Sequence, residues 1–391
     1  MSTLDELASA ADTIAQDLLD PATSQTTGPP GSLANGAAGI ALLHAERAED
    51  CDWAPAHAWL TRAVESGVDS GDAAALFHGA PAVAFVAHGA TGLGGYQRAL
   101  TVLDAAVTDI THQRLGAAHA RLDRGERPAA AEFDLLRGLT GLGAHHLRRH
   151  PDHRVTTDVL EYLVRLTHPL DGRPGWWTDH GPNGQPPERY PGGHGNFGMA
   201  HGVCGPLALL ALAARAGVVV AGQYDAIHRI CSWLDRWRQD GETGHHWPET
   251  IGAREHDTGR QHRAGPHRPS WCYGTPGLAR AQQLAALATG DSARKRLAET
   301  ALLDCLGDPA QQAQITEPGL CHGVAGLLHT TWRTAADADS PELTRALAVR
   351  LSTVPSTLLT RQSVPELLDG GPGVALALRS RTGWDRCLLV G

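Results

Sequence analysis

His201-Gly-Val-Cys-Gly205, running into the apolar stretch 203–214, decides the reading of this chain because the same pattern recurs along it. A glycine, two residues and a second glycine (once alanine) open an Ala/Leu-rich segment at seven places. They are Asn35-Gly-Ala-Ala-Gly39, His78-Gly-Ala-Pro-Ala82, Arg137-Gly-Leu-Thr-Gly141, His201-Gly-Val-Cys-Gly205, Tyr273-Gly-Thr-Pro-Gly277, His322-Gly-Val-Ala-Gly326 and Asp369-Gly-Gly-Pro-Gly373. Successive first glycines stand 43 to 72 residues apart, room for a loop, an outer helix, a turn and an inner helix. Segments after the motifs are apolar nearly all round and must be buried on every side, whereas 297–306 and 343–351 are amphipathic. Glycines three apart at a helix start let neighbouring backbones approach and set the entry turn. Period-2 alternation of β-branched residues is almost absent, so strands are not expected to carry the fold. Helical hairpins that bury their cores only by stacking on one another form a solenoid or a closed ring. Seven of them predict an all-α protein, an α/α toroid formed as a single domain over residues 1–391.

Composition agrees and narrows the function. Of 391 residues 42% are hydrophobic, enough for a large core, and 45 Gly and 24 Pro against 2 Met and 4 Phe mark a turn-rich chain packed through small residues. Lys and Arg number 33 against 42 acidic residues, a net charge of -9, which argues against a nucleic-acid partner. The N-terminus carries acidic residues where a targeting peptide carries cations, predicting a cytoplasmic protein. Pro206 and Arg215 interrupt the most apolar stretch, so no stable membrane insertion is expected. The seven cysteines are an odd, scattered set that does not read as a disulfide framework. Thr3 with Glu6 forms a capping-box pattern ahead of the apolar face Leu4, Leu7, Ala11, Ile14 and Leu18. Two irregular stretches, 171–196 and 240–270, break the rhythm. Each runs into a glycine motif, so both are expected to cover the same end, and loops this long are usually functional.

Cys272 and Cys321 each lie two residues before the first glycine of a motif, and His322 follows Cys321. In the turn before a helix both members of Cys321-His322 can face one point. Two thiols and an imidazole at matched positions make a Cys2His donor set, which suits a zinc site with its fourth position open. Two other readings stand beside it. The cysteines can be core residues with His322 lining a turn, or the site can be a closed structural zinc with Cys204 as fourth ligand. Cys204, three residues after His201, is expected one turn inside its helix.

Asn196-Phe-Gly-Met-Ala-His201-Gly-Val-Cys-Gly205, Trp271-Cys-Tyr-Gly-Thr-Pro-Gly277 and Cys321-His322-Gly323 together resemble the lanthionine cyclases, the LanC-like family, over nearly the whole chain. The resemblance implies a stand-alone α/α-toroid cyclase with one Zn2+ per chain held by Cys272, Cys321 and His322. Phe133-Asp134-Leu-Leu-Arg-Gly-Leu-Thr-Gly141 is similar to the family's segment with a catalytic aspartate, here Asp134, and Arg268 and Tyr273 match family site positions. The implied reaction adds a cysteine thiol of a dehydrated precursor peptide to dehydroalanine or dehydrobutyrine, closing a thioether ring, with a separate dehydratase as partner. Addition generates an enolate that needs stabilisation and then a proton. On this reading His201 is the general acid or base and Asp134 orients its imidazole, while Arg268 stabilises the enolate oxygen or holds Asp134.

Two rival functions remain. One is a LanC-like zinc- and glutathione-binding regulatory protein without cyclase activity. The other is a carbohydrate-active α/α toroid, whose paired acids would have to be Asp134 and Asp369. His78 is read as a pore-lining or capping residue, and His245 and His246 as loop packing beside Trp247. The stretch 89–132 reads as short and helical where family members can carry a β-rich insertion. Arg137 stands where the family often has another residue.

Overall fold

A computed structural model describes residues 3–48, 52–90, 95–181, 190–262, 265–339, 341–353, 364–379 and 383–391. The helices are α1 (Thr3–Asp17), α2 (Ala37–Arg47), α3 (Ala54–Val64), α4 (Ala80–Gly89), α5 (Gln97–Asp123), α6 (Ala130–Phe133), α7 (Leu139–Arg149) and α8 (Arg154–Leu166), then α9 (Cys204–Arg215), α10 (Gln223–Trp237), α11 (Ala253–Thr258) and α12 (Thr275–Thr289). α13 (Ser292–Gly307), α14 (Pro309–Gln312), α15 (Val324–Ala336), α16 (Glu342–Thr353) and α17 (Gly371–Leu378) complete them. Every one of the seven glycine motifs opens a helix: α2, α4, α7, α9, α12, α15 and α17. No described helix is long and apolar enough to cross a membrane.

The chain divides into two compact units, Met1–Ile110 with Ala313–Cys387 and Gly391, and Thr111–Gln312 with Leu388–Val390. In the first, α2 packs on α3, α4 and α17, α1 packs on α17, and α15 packs on α16 and α17. In the second, α9 lies between α7 and α12, α8 backs α7, α13 backs α12, and α10 packs on α8 and α9. The inner helices are buried over most of their length, as α12 is from Thr275 to Ala286, while α8 buries the stripe Val155, Val159, Leu160 and Leu163. The predicted face of α1 holds for Leu7, Ala11, Ile14 and Leu18, all buried, whereas the side chains of Thr3 and Leu4 lie outside the described residues. Within 89–132, expected to be helical, the described residues include the 27-residue α5 and the start of α6.

Among the described residues, strands are confined to two short antiparallel pairs in the second unit. β1 (His194–Asn196) pairs with β4 (Thr250–Gly252), and β2 (Gln239–Gly241) with β3 (Gly244–His246). The first pair stitches together the two irregular stretches.

The residue three before each first glycine is an apolar plug. Leu33, Leu76, Leu135, Met199, Trp271, Leu320 and Leu367 are all fully buried, each contributing about 2 kcal/mol. That exceeds the net value of about 1 kcal/mol for a single backbone hydrogen bond, so the plug anchors the turn and hydrogen bonds set its register. The second glycine admits a close backbone approach, as the spacing suggested. A Cβ at Gly326 would lie 1.9 Å from the Leu320 carbonyl oxygen, at Gly373 2.0 Å from that of Leu367, and at Gly277 2.1 Å from that of Trp271. The close approach is therefore to the plug residue of the helix's own turn rather than to another helix.

Candidate active site

Backbone hydrogen bonds lace successive turns together. The amide of the plug residue donates to the carbonyl two residues before the next motif's glycine. Leu135 donates to Ala200 at 3.1 Å and Met199 to Cys272 at 2.9 Å in the second unit. In the first unit Leu33 donates to Phe77 at 2.9 Å and Leu367 to Ala34 at 2.8 Å, while Cys321 donates to Leu368 at 2.8 Å. Ala200 accordingly sits between the turn of Asp134 and that of Cys272, and the next residue is His201.

Asp134 follows α6 and is fully buried. One carboxylate oxygen accepts from the amides of Arg137, at 2.6 Å, and Gly138, at 2.9 Å. The other lies 2.8 Å from His201 Nδ1. An ionised carboxylate only accepts, so His201 donates through Nδ1 and its Nε2 is left to take or give a proton. The guanidinium beside Asp134 is Arg137's, with Nε 3.8 Å from Oδ2. Arg268 is exposed, and it is the residue's carbonyl, not its side chain, that packs against Gly274. Holding Asp134, one of the two duties expected of Arg268, therefore falls to Arg137 and to backbone amides.

Tyr273 lies beside His201, with ring centroids 6.4 Å apart. Asn196 Nδ2 donates to its hydroxyl at 2.9 Å, and Asn196 Oδ1 accepts from the Gly198 amide at 2.9 Å. Burial, reinforced by Cys272, Glu249 and Asp134, pushes the Tyr273 phenol well above its ordinary pKa against the opposing Asn196 bond. The group stays protonated and can donate. Cys272 is buried, with Ser270 Oγ 3.6 Å from its Sγ. Ser270 also accepts the Tyr273 amide at 3.2 Å and donates to the Tyr273 carbonyl, which closes the turn.

Cys321 and His322 belong to the first unit. Cys321 is half-buried. His322 Nε2 is 2.7 Å from Glu317 Oε2, and Nδ1 is 3.6 Å from Asp369 Oδ1. Cys204 is the first residue of α9 and not one turn inside it, because the helix begins two residues after the first glycine. It is fully buried, and burial together with Cys231 pushes its thiol far up. His78 pairs with Asp69 at 3.0 Å, and His245 with Asp240 at 2.8 Å.

Asn196 and Glu317 take part in these contacts without having been assigned a role from the sequence, whereas Arg137 was expected to tune the field around Asp134. For Asn196 the available signal was a polar residue two before Gly198, the usual place for a side chain that caps a turn.

Comparison with known proteins gives the family and the fold. The family described as "Lanthionine synthetase C-like protein" matches residues 29–378. The "Nisin biosynthesis protein NisC" of Lactococcus lactis subsp. lactis is 25% identical over 209 residues, 50% of this chain and 48% of that protein, so the match spans about half the length of each. A solved structure, "Nisin cyclase", is similar with a TM-score of 0.79 at 19% identity, covering 99% of this chain and 96% of that one. At that identity the likeness speaks for the fold, which is all-α and of the α/α-toroid class.

Proposed function

This chain belongs to the lanthionine synthetase C-like family, and from that premise we propose that it is a zinc-dependent lanthipeptide cyclase, joining peptide cysteine thiols to dehydroalanine or dehydrobutyrine. The observation that carries the reading is the His201–Asp134 pair at 2.8 Å, hung on the turn of Cys272 through Met199 and Ala200. A protein that only captures a thiol needs a proton removed but none delivered to a carbon, so the glutathione-binding alternative uses only half of what the pair can do.

On this proposal Cys272, Cys321 and His322 hold one Zn2+. Their chemistry fits: two thiolates and an imidazole suit zinc and leave a fourth position for an outside ligand, and His322 would release one of its carboxylate neighbours to bind. When bound, the metal lowers the pKa of a coordinated thiol so that it is a thiolate at neutral pH.

The chain's own residues would do the rest. His201, oriented through Nδ1 by Asp134, offers Nε2 to take the proton of an incoming thiol and to return one to the α-carbon. Tyr273 donates from a protonated hydroxyl, and Arg268, exposed and cationic, is available to the enolate oxygen. The substrate is a dehydrated precursor peptide, a separate dehydratase supplies it, and the cytoplasm is the compartment.

Ring closure leaves the peptide mass unchanged but consumes a thiol, so N-ethylmaleimide labelling of a peptide with one cysteine and one dehydroalanine reads it directly. Cys272→Ala is expected to lose stoichiometric zinc and ring closure together. Closure by metal-free protein above the spontaneous rate would overturn the proposal.

A further inference from the structure

Arg229, Ser232, Trp233 and Arg236 fall at i, i+3, i+4 and i+7 on α10, the spacing of a single helix face. With Trp176 and His256 they line a cavity of about 290 Å³. Neighbouring Arg173 is neutralised by Asp257 at 2.7 Å. The other two guanidiniums are not. Arg229 Nε donates to Thr167 Oγ1 at 3.0 Å and Arg236 donates to the His256 carbonyl at 3.4 Å, and neither meets a carboxylate among the described residues. The protein carries a net charge of -9, so two cations without counter-charge in one concavity are a local exception.

The indoles supply the apolar part of the wall. Trp176 and Trp233 are 2% and 7% exposed. His256 stacks on Trp233 at 5.7 Å. Burial, and then Arg173 and Arg236, push its pKa down, so it does not supply a third cation. The cavity thus offers two cationic forks and aromatic walls. A ligand that answers it is negatively charged, rich in acceptors and no larger than a side chain or two.

We propose that this cavity is a subsite for a peptide carboxylate, the side chain of an Asp or Glu residue. Bidentate Arg–carboxylate geometry supplies the recognition, and Trp walls take the methylenes. Trp233 also stacks on Phe197 at 5.7 Å, and Phe197 belongs to the turn that carries His201, so an occupied subsite abuts the packing behind the catalytic turn. That the acidic residue comes from the precursor peptide rests on the cyclase reading. The carboxylate subsite itself does not.

The test uses full-length protein and a fluorescein-labelled hexapeptide with two glutamates and a blocked C-terminus, read by fluorescence anisotropy. Its glutamine counterpart is expected to bind at least about tenfold more weakly. The Arg229→Gln/Arg236→Gln double variant is expected to lose the acidic peptide's advantage, and Arg229→Lys/Arg236→Lys to recover part of it. An unchanged unfolding midpoint serves as the fold control. A glutamine peptide with a free C-terminus separates a terminal carboxylate from a side-chain one, and its binding as tightly as the glutamate peptide would overturn the side-chain assignment. Equal binding of acid and amide peptides, an indifferent double variant, or displacement by inorganic phosphate as effective as by unlabelled acidic peptide would sink the subsite. Because binding is read without ring closure, its failure is distinguishable from failure of the cyclase reading.

Discussion

His201 Nδ1 lies 2.8 Å from Oδ2 of Asp134, a carboxylate with no exposed surface whose other oxygen is held by two backbone amides. The pair selects one imidazole tautomer. Asp134→Asn keeps an acceptor for the amides of Arg137 and Gly138 but removes the charge that orients and supports the imidazole. Ring closure is expected to fall by about 100- to 10,000-fold, as for other carboxylate–histidine pairs, with bound zinc retained. Thiol-labelling kinetics beside metal analysis checks both halves, and loss of zinc in step with activity would make Asp134 structural.

Gly198 is where the turn of His201 meets the turn of Cys272. A Cβ there would stand 2.7 Å from the Tyr273 ring and 2.8 Å from the Cys272 carbonyl oxygen. Gly198→Ala is expected to cost about 1–3 kcal/mol of stability and to weaken zinc binding, read by denaturant unfolding and by competition with a colorimetric chelator. Wild-type behaviour in both would mean that the two turns separate freely.

Burial holds the Cys231 thiol up at about 12 and pushes Cys204 and Cys305 higher still. In metal-free folded protein at about pH 8, iodoacetamide is expected to modify half-buried Cys321 well before these three, because the thiolate is the nucleophile. Peptide mapping against time gives the order. Early modification of Cys204 would contradict its burial.

His194 is buried, with its pKa depressed to about 4 mainly by burial, against an ordinary 6.5. Below 6.5 the unfolded chain takes up a proton that the folded chain refuses. The contribution to stability is therefore complete above 6.5, is lost as pH falls towards about 4, and is level below that. The loss is on the order of 3 kcal/mol. Urea midpoints at successive pH values for wild type and His194→Gln should converge in acid. Parallel curves would put the acid sensitivity elsewhere.

Trp271 Nε1 donates to the Leu388 carbonyl at 3.0 Å and Arg280 Nε to that of Val390 at 2.7 Å, all in buried surroundings. Ending the chain before Leu388 would take the Val390 acceptor from the buried Arg280 guanidinium and leave a cavity beside the plug that precedes Cys272. A stability loss of about 3–5 kcal/mol is expected, with reduced zinc occupancy. A shortened chain that melts and binds metal like the parent would show the tail to be dispensable.

Much was already legible in the residues. The first glycine of each motif marks a helix start whether the helix is α2 or α17, because the breaker and the apolar run are local signals. The residue types of the site could likewise be read off, since thiols and an imidazole at matched turn positions are a chemical statement that needs no coordinates. Contacts between distant segments were not legible. The spacing did not say which backbone approaches the second glycine, and it put Cys204 one turn too deep. It also offered Arg268 as a holder of Asp134, where Arg137 and two amides do the work.

What the amino-acid order determined alone was periodicity, chain breaks and donor chemistry, because these depend on neighbours a few positions apart. Only the tertiary structure decided that Ala200 bonds to Leu135 on one side and Cys272 on the other, and that Arg229 and Arg236 face a cavity without a counter-charge. Such pairings are chosen by burial and hydrogen-bond register across dozens of residues, where no local preference distinguishes one partner from another.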